Sequence, residues 1–192
     1  MSTAHPNLAT SAFGARGGDL AVKIGLAIAG ALLLAISAQL KVQIGPVPFS
    51  FQTLTLLILS AAYGRNLAIG TVTLYLVVGA LGLPAFTGGG GLAMLFGAKA
   101  FTAGFLFGFF AVAAIVGEAA DRGWDRSPLT LAPAMLVGEV ILFALGWAWL
   151  ANLIGPDKAW SAGVAPFIVP DLIKIAIAAL AVPAGWAMLR KR

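Results

Sequence analysis

Three ionisable side chains lie well inside long apolar stretches of this sequence, away from the ends of those stretches. Asp171 and Lys174 are three residues apart in one stretch, and Glu139 lies in the stretch before it. A spacing of three places the first two side chains on one face of a helix. Charged groups are costly in hydrocarbon, so they are candidate functional residues there. Lysine can hold a carboxylate and aspartate can accept N–H donors, so the pair could form the polar floor of a ligand site that opens outside the cell.

Each of these groups also has a purely structural interpretation. Asp171 and Lys174 could form an ion pair that only neutralises two charges. Such a pair would cost free energy in lipid without serving a function, so we favour the ligand site. Glu139 could relay protons or pair with polar groups of another helix. We favour the structural role for Glu139, because no second acid is expected at its depth. Counting along the segments places Glu139 and Asp171 near opposite membrane faces, where they cannot share a metal ion.

Other chemistries are disfavoured by the residue inventory. The chain has no cysteine and one histidine, His5, so thiol catalysis and a histidine-based metal site are not expected. The glycine run Gly88, Gly89, Gly90 and Gly91 lacks the lysine and hydroxyl that complete a P-loop, so this chain should hydrolyse no ATP itself. The run is either a plain connector or a loop whose bare backbone approaches a small ligand. An intramembrane enzyme is therefore disfavoured.

The amino-acid composition predicts that these groups lie in a lipid bilayer. Of 192 residues, 60% are hydrophobic and 10% are charged, with a mean hydropathy of +0.99. Soluble domains carry about 25% charged residues. This composition excludes a soluble enzyme or a nucleic-acid binder and predicts a polytopic protein of the lipid bilayer. The net charge of +5 reflects an excess of Lys and Arg, and such residues usually mark the cytoplasmic loops of a membrane protein.

Six apolar segments must position the candidate residues. We predict an all-α fold, with a flexible cytoplasmic leader at 1–18 and one six-transmembrane-helix bundle at 19–192. The second segment, with 14 residues, is short for a span of about 20 residues and could be re-entrant. A tight polar turn is predicted at 63–66. The predicted segments are 20–40, 49–62, 67–83, 102–119, 131–154 and 166–189.

The basic residues predict the orientation. With six spans, eight Lys and Arg residues lie on the side of the termini and three on the other side, while Lys174 lies within a span. Cytoplasmic loops carry the excess of basic residues. We therefore expect both termini in the cytoplasm, and we expect the first segment to stay uncleaved because its apolar run is too long for a signal peptide.

Four stretches, in order along the chain, are similar to motifs of the BioY family. They are 46–53 (PVPFSFQT), 75–86 with its Gly-Leu-Pro, 102–109 (TAGFLFGF) and 166–174, which has the pattern P-F-x-x-x-D-x-x-K. The departures are Ser50 in place of threonine, Gly90 where some relatives have a polar residue, and Ala100 and Phe101 before the fourth helix. Lys99 has no assigned role.

The resemblance implies the biotin-binding S component of an energy-coupling-factor (ECF) transporter. It implies that Asp171 and Lys174 bind the vitamin at the outer face of the bundle. The urea N–H groups could donate to Asp171 and the carboxylate could pair with Lys174, although the opposite orientation is open. The other residues expected to line or cover the pocket are Gln52, Tyr75, Phe49, Phe86, Gly88, Gly89, Gly90 and Phe167.

The resemblance also implies the partners. Such a chain, in the bacterial cytoplasmic (inner) membrane, docks on a transmembrane coupling protein of the EcfT or BioN type, which two ABC ATPases of the EcfA or BioM type drive. Ala27 and Ala31 match the A-x-x-x-A stripe that contacts the coupling protein. No cofactor or metal is expected on this non-enzymatic chain, and the partner subunits use the ATP. The alternative is a self-sufficient secondary carrier, driven by protons through Glu139.

Overall fold

The computed structural model describes residues 7–44, 46–87, 91–97 and 100–190. These parts of the chain are mostly helical. The helices are α1 Leu8–Ser11, α2 Leu20–Gln39, α3 Gln52–Ala80, α4 Ala93–Phe96, α5 Ala103–Asp121, α6 Pro128–Ile154, α7 Pro156–Gly163 and α8 Ile168–Leu189. The strands are β1 Lys41–Ile44 and β2 Val47–Ser50, and the 3-10 turns are Gly14–Gly18, Trp124–Arg126 and Ala165–Phe167.

Four helical stretches of the described chain are long and apolar enough to cross a membrane. They are Leu20–Gln39, Ala103–Asp121, Pro128–Ile154 and Pro156–Leu189, the last of which contains α7 and α8. Their mean hydropathies are between 1.9 and 2.2. Because a span needs about 20 mostly apolar residues, the structure agrees with the predicted membrane protein.

Helix α3 is two arms joined at Gly64. This residue has φ 72° and ψ 172°, outside the helical region, and a positive φ favours glycine because it has no Cβ. Gln52 at the start of α3 donates a 2.7 Å hydrogen bond to the Tyr75 hydroxyl. A straight helix would separate these residues by about 34 Å, so the chain reverses direction at Gly64. The turn predicted at 63–66 is therefore present.

Helix α5 lies between α3 and α6 and packs against both. Glycines allow its close approach to α6. A Cβ on Gly104 would lie 2.6 Å from the Leu145 carbonyl oxygen, and one on Gly108 would lie 2.9 Å from the Leu142 Cα. Small residues at such positions let helix backbones pack tightly in a membrane.

The chain ends and several charged groups gather at the end of the bundle that contains Gly64, which we call the Gly64 end. Leu8 lies against Gly185 in α8. The Arg65 backbone N–H donates to the Asp121 carboxylate at 3.0 Å, and Glu118 forms an ion pair with Arg65 at 3.4 Å. The opposite end contains the strands, and we call it the hairpin end.

Two elements at the hairpin end were not predicted. Strands β1 and β2 form an antiparallel hairpin in which Lys41 pairs with Ser50. The prediction of a helix from residue 49 was wrong, because residues 47–50 are in β2 and α3 begins at Gln52. Helix α7 was also missed, because its mixed polar sequence is too short to resemble a span. The structure therefore adds a small β-hairpin to the predicted all-α fold.

One helix boundary and the structure of the leader, both at the Gly64 end, also differ from the prediction. Helix α6 begins at Pro128, three residues before the predicted start, because proline suits the first position of a helix. The described part of the leader forms α1 and the 3-10 turn Gly14–Gly18. Whether the leader is flexible stays a prediction.

Candidate functional site

The ammonium group of Lys174 lies in a cradle of oxygen atoms at the hairpin end. Its Nζ is 2.6 Å from Asp171 Oδ1 and donates to the Ser50 carbonyl and to Thr53 Oγ1, each at 2.8 Å. The Thr53 hydroxyl donates in turn to Asp171 Oδ1 at 3.1 Å. An ammonium has three donors, so each has an acceptor. The spacing of three residues correctly predicted that Asp171 and Lys174 lie on one helix face.

Burial makes this cradle electrostatically strong. Asp171 is 3% exposed and Lys174 is 6% exposed. A charge that loses its partner in such a place is strongly destabilising. The Phe49 ring lies over the ammonium, with Nζ 4.5 Å from the ring centroid, and stacks on Phe167 at 6.0 Å. The cation therefore has a π face on the side that the oxygens leave open.

Gln52 and Tyr75 form a second polar group beside the cradle. Both are buried, and the Tyr75 hydroxyl also lies 3.4 Å from the Ala85 carbonyl, to which it donates. The Tyr75 ring meets Phe86 edge-on at 5.6 Å. These contacts tie the two arms of α3 to the loop after it. Gln39 at the end of α2 holds the same loop through the Phe86 carbonyl at 3.1 Å.

A small, partly open cavity of about 70 Å³ lies between these groups. It is mostly apolar, and its polar groups converge from β2, α3 and α8. Sites for small molecules usually measure about 300–1,000 Å³, so this cavity must widen before a vitamin-sized ligand enters. The lining residues are Val47, Pro48, Ser50, Gln52, Thr53, Phe86, Thr87, Thr102, Phe105, Leu106, Phe109, Leu142, Phe143, Gly163, Phe167, Asp171 and Lys174.

Most of the predicted site residues that the structure describes meet here. Gln52, Phe86 and Phe167 line the cavity together with the ion pair. Phe49 contacts that pair from the side, and Tyr75 lies behind Gln52. The predicted residues Gly88, Gly89 and Gly90 lie outside the described residues, as does Lys99. Among the described residues, no group of three or more His, Cys, Asp or Glu side chains could hold a metal ion.

Thr53 and the Ser50 carbonyl were not predicted as site groups. Both belong to the motif at 46–53, but a threonine in a helix usually bonds its own backbone, and a carbonyl has no sequence signature. The available signal was position. Thr53 follows Gln52 in the first turn of α3, so it faces the same end of the bundle as Lys174.

Glu139 is closer to this site than its sequence position suggested. It lies on α6, one turn before Phe143, whose ring centroid is 6.5 Å from that of Phe167 at the start of α8. Glu139 and Asp171 line the same groove between α6 and α8. The expectation that they lie near opposite faces was therefore wrong. The count failed because α6 starts earlier than predicted, which moves Glu139 deeper.

The predicted partner stripe on α2 faces partly inward. Ala31 is 8% exposed and Ala27 is half-buried, on the helix face that Gly30 shares. A Cβ on Gly30 would lie 2.7 Å from the Thr71 methyl group. The opposite face of α2 is exposed and includes Gly25, whose Cβ position has no described atom within 4 Å. The contact of Ala27 and Ala31 with a partner stays a prediction.

The comparisons with known proteins agree on one family. The sequence pattern that describes the BioY family matches residues 7–191 of this chain. The probable biotin transporter BioY of Pyrococcus horikoshii is 36% identical over 149 residues, which cover 77% of this chain and 86% of that protein. The biotin transporter BioY of Rhizobium etli is 31% identical over 180 residues, which cover 86% of this chain and 95% of the relative.

A solved structure has the same fold. It is described as the S-component for biotin from an ECF-type ABC transporter, and it superposes with a TM-score of 0.72 at 21% sequence identity. The match covers 88% of this chain and 91% of the other. At this identity the likeness is evidence for the fold, and the sequence relatives carry the assignment to a family.

Proposed function

This chain belongs to the BioY family, and we propose that it binds biotin from outside the cell as the S component of an ECF-type transporter. The observation that carries this proposal is the mostly apolar cavity that the Asp171–Lys174 ion pair lines. Its aromatic walls suit the fused rings of biotin, and its two charged groups suit a polar end. The family is one of transporters, which agrees with the non-enzymatic expectation.

The geometry favours one orientation of biotin. The two charged groups are 2.6 Å apart, so the same end of a ligand must meet both of them. A urea presents a carbonyl acceptor next to N–H donors, so its oxygen can accept from Lys174 while an N–H donates to Asp171. We infer that the ureido ring binds at the pair and that the carboxylate lies away from Lys174. The sequence had left both orientations open and had first paired the carboxylate with Lys174.

Direct binding to the purified chain tests the function. We expect the detergent-purified protein to bind biotin in a calorimetric titration, and Asp171→Ala and Lys174→Ala to lose that binding. The matched controls are Asp157→Ala and Lys158→Ala, which remove the same charges from exposed positions on α7. Unchanged binding in both site variants would sink the proposal, and so would equal binding of unrelated vitamins.

Biotin analogues test the orientation. In 2-iminobiotin a cationic guanidinium replaces the urea, which removes the acceptor for Lys174 and adds a like charge. We expect its binding to be about 10- to 100-fold weaker, since hydrogen bonds to charged groups contribute about 1.5–3 kcal/mol. Biotinamide keeps the urea and loses only the carboxylate charge, so its affinity should change less. The reverse order would place the carboxylate at Lys174.

We also propose six membrane spans with both termini in the cytoplasm. The reversal of α3 at Gly64 and the gathering of both described chain ends at the Gly64 end support this topology, as does the basic excess on that side. The chain has no cysteine, so single cysteines can report the sides. In intact cells a membrane-impermeant maleimide should label Asp157→Cys on α7, and it should label Arg190→Cys only after permeabilisation. The opposite pattern would invert the topology.

Transport then requires a coupling protein in the cytoplasmic membrane, which we propose docks on α2, and ATPases that drive this coupling protein. The exposed face of α2 presents Ala21, Gly25 and Ala29, and a stripe of small residues lets another helix approach. We expect Gly25→Leu to reduce biotin uptake in cells while leaving biotin binding intact. Gly70→Leu is the control, since no described atom lies within 4 Å of its Cβ position either. Full uptake by vesicles that contain this chain alone would favour a secondary carrier instead.

A further inference from the structure

Glu139 is a buried acid that the proposed binding of biotin does not use. It is 2% exposed, and neither carboxylate oxygen has a hydrogen-bond partner among the described residues. An ionised carboxylate needs donors or a cation when water is excluded, whereas a protonated carboxyl is neutral. The residue therefore lies where a bound proton removes most of the cost of its burial.

The surroundings of Glu139 connect it to the ligand site. It lines a groove of about 460 Å³ between α6, α7 and α8, which is almost entirely apolar apart from Glu139 and Asp171. Asp171 lines the same groove as Glu139 and is paired with Lys174 at 2.6 Å, so these two charges act on Glu139. The other charged residues on the elements packed against α6 lie towards the ends of the bundle; they are Glu118, Asp121, Asp125, Arg126, Asp157 and Lys158.

We propose that Glu139 is a proton-binding site linked to the ligand site, and that biotin binds most tightly while Glu139 holds its proton. With that proton, Glu139, Asp171 and Lys174 together carry no net charge. Without it, a second negative charge lies in the groove that Asp171 also lines, and its attraction for the Lys174 ammonium competes with that of the ligand oxygen that Lys174 must hold. The competition arises whichever polar end of biotin lies at the pair, because both ends offer Lys174 an oxygen acceptor.

Linkage fixes the direction of the effect. A ligand that prefers the protonated form of Glu139 must in turn strengthen the binding of that proton. Biotin affinity should therefore be highest at low pH and fall as Glu139 ionises, by at most about tenfold per pH unit for a single linked proton. Release would then be favoured wherever the site meets a more alkaline solution. This inference rests on the proposed function, since it concerns the same ligand.

The test measures the proton and the ligand separately. Infrared absorption of the ligand-free protein should show a protonated carboxyl band that is missing in Glu139→Gln. Biotin affinity is then measured by calorimetry between pH 5.5 and 9 for the wild type, for Glu139→Gln and for Glu118→Gln. The last variant removes a partly exposed glutamate at the Gly64 end. We expect a falling affinity in the wild type and in Glu118→Gln, and a flat, tight affinity in Glu139→Gln, which keeps both Asp171 and Lys174.

The outcomes separate the two proposals. An affinity that does not change with pH in the wild type, or a pH dependence that persists in Glu139→Gln, would overturn the linkage while leaving biotin binding in place. The absence of this carboxyl band from the wild-type spectrum would overturn the proposal that Glu139 holds a proton in the ligand-free protein. No biotin binding at any pH would overturn the proposed function and the linkage with it. If Glu139→Gln does not fold, the conservative variant Glu139→Asp should keep the carboxyl band at a shifted frequency, and an unshifted band would contradict the assignment.

Discussion

At the scale of single residues, the site depends on how completely one ammonium is satisfied. Lys174 has an acceptor for each of its three protons and an aromatic ring beside them. A ligand oxygen must therefore replace one of these acceptors, and Lys174 then acts as a donor beside Asp171 as an acceptor, which suits the urea of the proposed ligand. Preorganised polar groups lose little freedom on binding, so more of their interaction contributes to affinity.

Thr53 should contribute to binding by holding that arrangement. Thr53→Val removes the hydroxyl that accepts from Lys174 and donates to Asp171, at nearly constant volume. We expect biotin affinity to fall about tenfold, because hydrogen bonds to charged groups contribute about 1.5–3 kcal/mol. Thr53→Ser keeps the hydroxyl and should bind nearly as the wild type does. Equal affinities in a calorimetric titration of the two variants would show that the hydroxyl has no part in binding.

At the scale of elements, glycines set the distance between α5 and α6 and so the shape of the cavity. Phe105 and Phe109 on α5 and Leu142 and Phe143 on α6 form its walls. Their positions depend on backbones that approach closely at Gly104. The cavity is therefore defined by residues that do not line it, as well as by those that do.

A side chain at Gly104 should be destabilising, whereas one at an exposed glycine should not. In Gly104→Ala the new Cβ would lie 2.4 Å from the Trp149 Cβ and 2.6 Å from the Leu145 carbonyl oxygen, and overpacking costs about 1–3 kcal/mol. Gly70→Ala has no described neighbour within 4 Å and should be neutral or stabilising, because alanine favours helix. Thermal unfolding in detergent measures both, and a Gly104→Ala melting temperature at or above that of Gly70→Ala contradicts this packing.

At the scale of the whole molecule, a buried contact joins the chain between α5 and α6 to the end of α8. Asp125 is 1% exposed and accepts a hydrogen bond from the Trp186 indole N–H. The Arg126 guanidinium lies 4.3 Å from the centroid of the same ring. Because α8 also carries Asp171 and Lys174, this clamp fixes that helix at its far end.

The clamp should make stability depend on pH. Burial raises the pKa of Asp125, and the hydrogen bond from Trp186 opposes that rise. A carboxyl whose pKa is raised by folding binds its proton more tightly in the folded state. Its contribution to the stability of the fold is therefore fully present below the pKa of the unfolded state, and it is lost as the pH rises through the pKa of the folded state. Asp125→Asn keeps an acceptor for Trp186 and cannot ionise.

We expect the melting temperature of Asp125→Asn to rise relative to the wild type as the pH increases from about 4, the ordinary pKa of aspartate, towards neutrality. Asp157→Asn, on the exposed surface of α7, is the control and should follow the wild type throughout. A constant difference between Asp125→Asn and the wild type at every pH would mean that Asp125 does not take up a proton on folding.

The sequence predicts features that depend on composition and period. Apolar length gives the long helices, and a spacing of three gives the pair of Asp171 and Lys174, because helix geometry follows locally from the chain. The β-hairpin was missed although residues 41–44 alternate polar and apolar types, since four residues are too few to compete with the apolar segments beside them.

Distances between residues on different helices were harder to predict from the sequence. Glu139 was assigned the wrong depth because a shift of a few residues in a helix start moves a side chain by about 1.5 Å for each residue. Thr53 was missed because only the fold brings the first turn of α3 against α8. Both cases depend on how helices are placed relative to one another, which a local pattern does not encode.

The reversal at Gly64 has a consequence for how the protein is made. The arms 52–63 and 65–80 are about 18 and 24 Å long at 1.5 Å per residue, and each is shorter than the hydrocarbon layer of about 30 Å. Since neither arm alone is long enough to cross that layer, we expect the two to enter the bilayer together as a pair. A substitution at Gly64 would thus act during synthesis, on entry into the lipid, before the proposed binding site has formed.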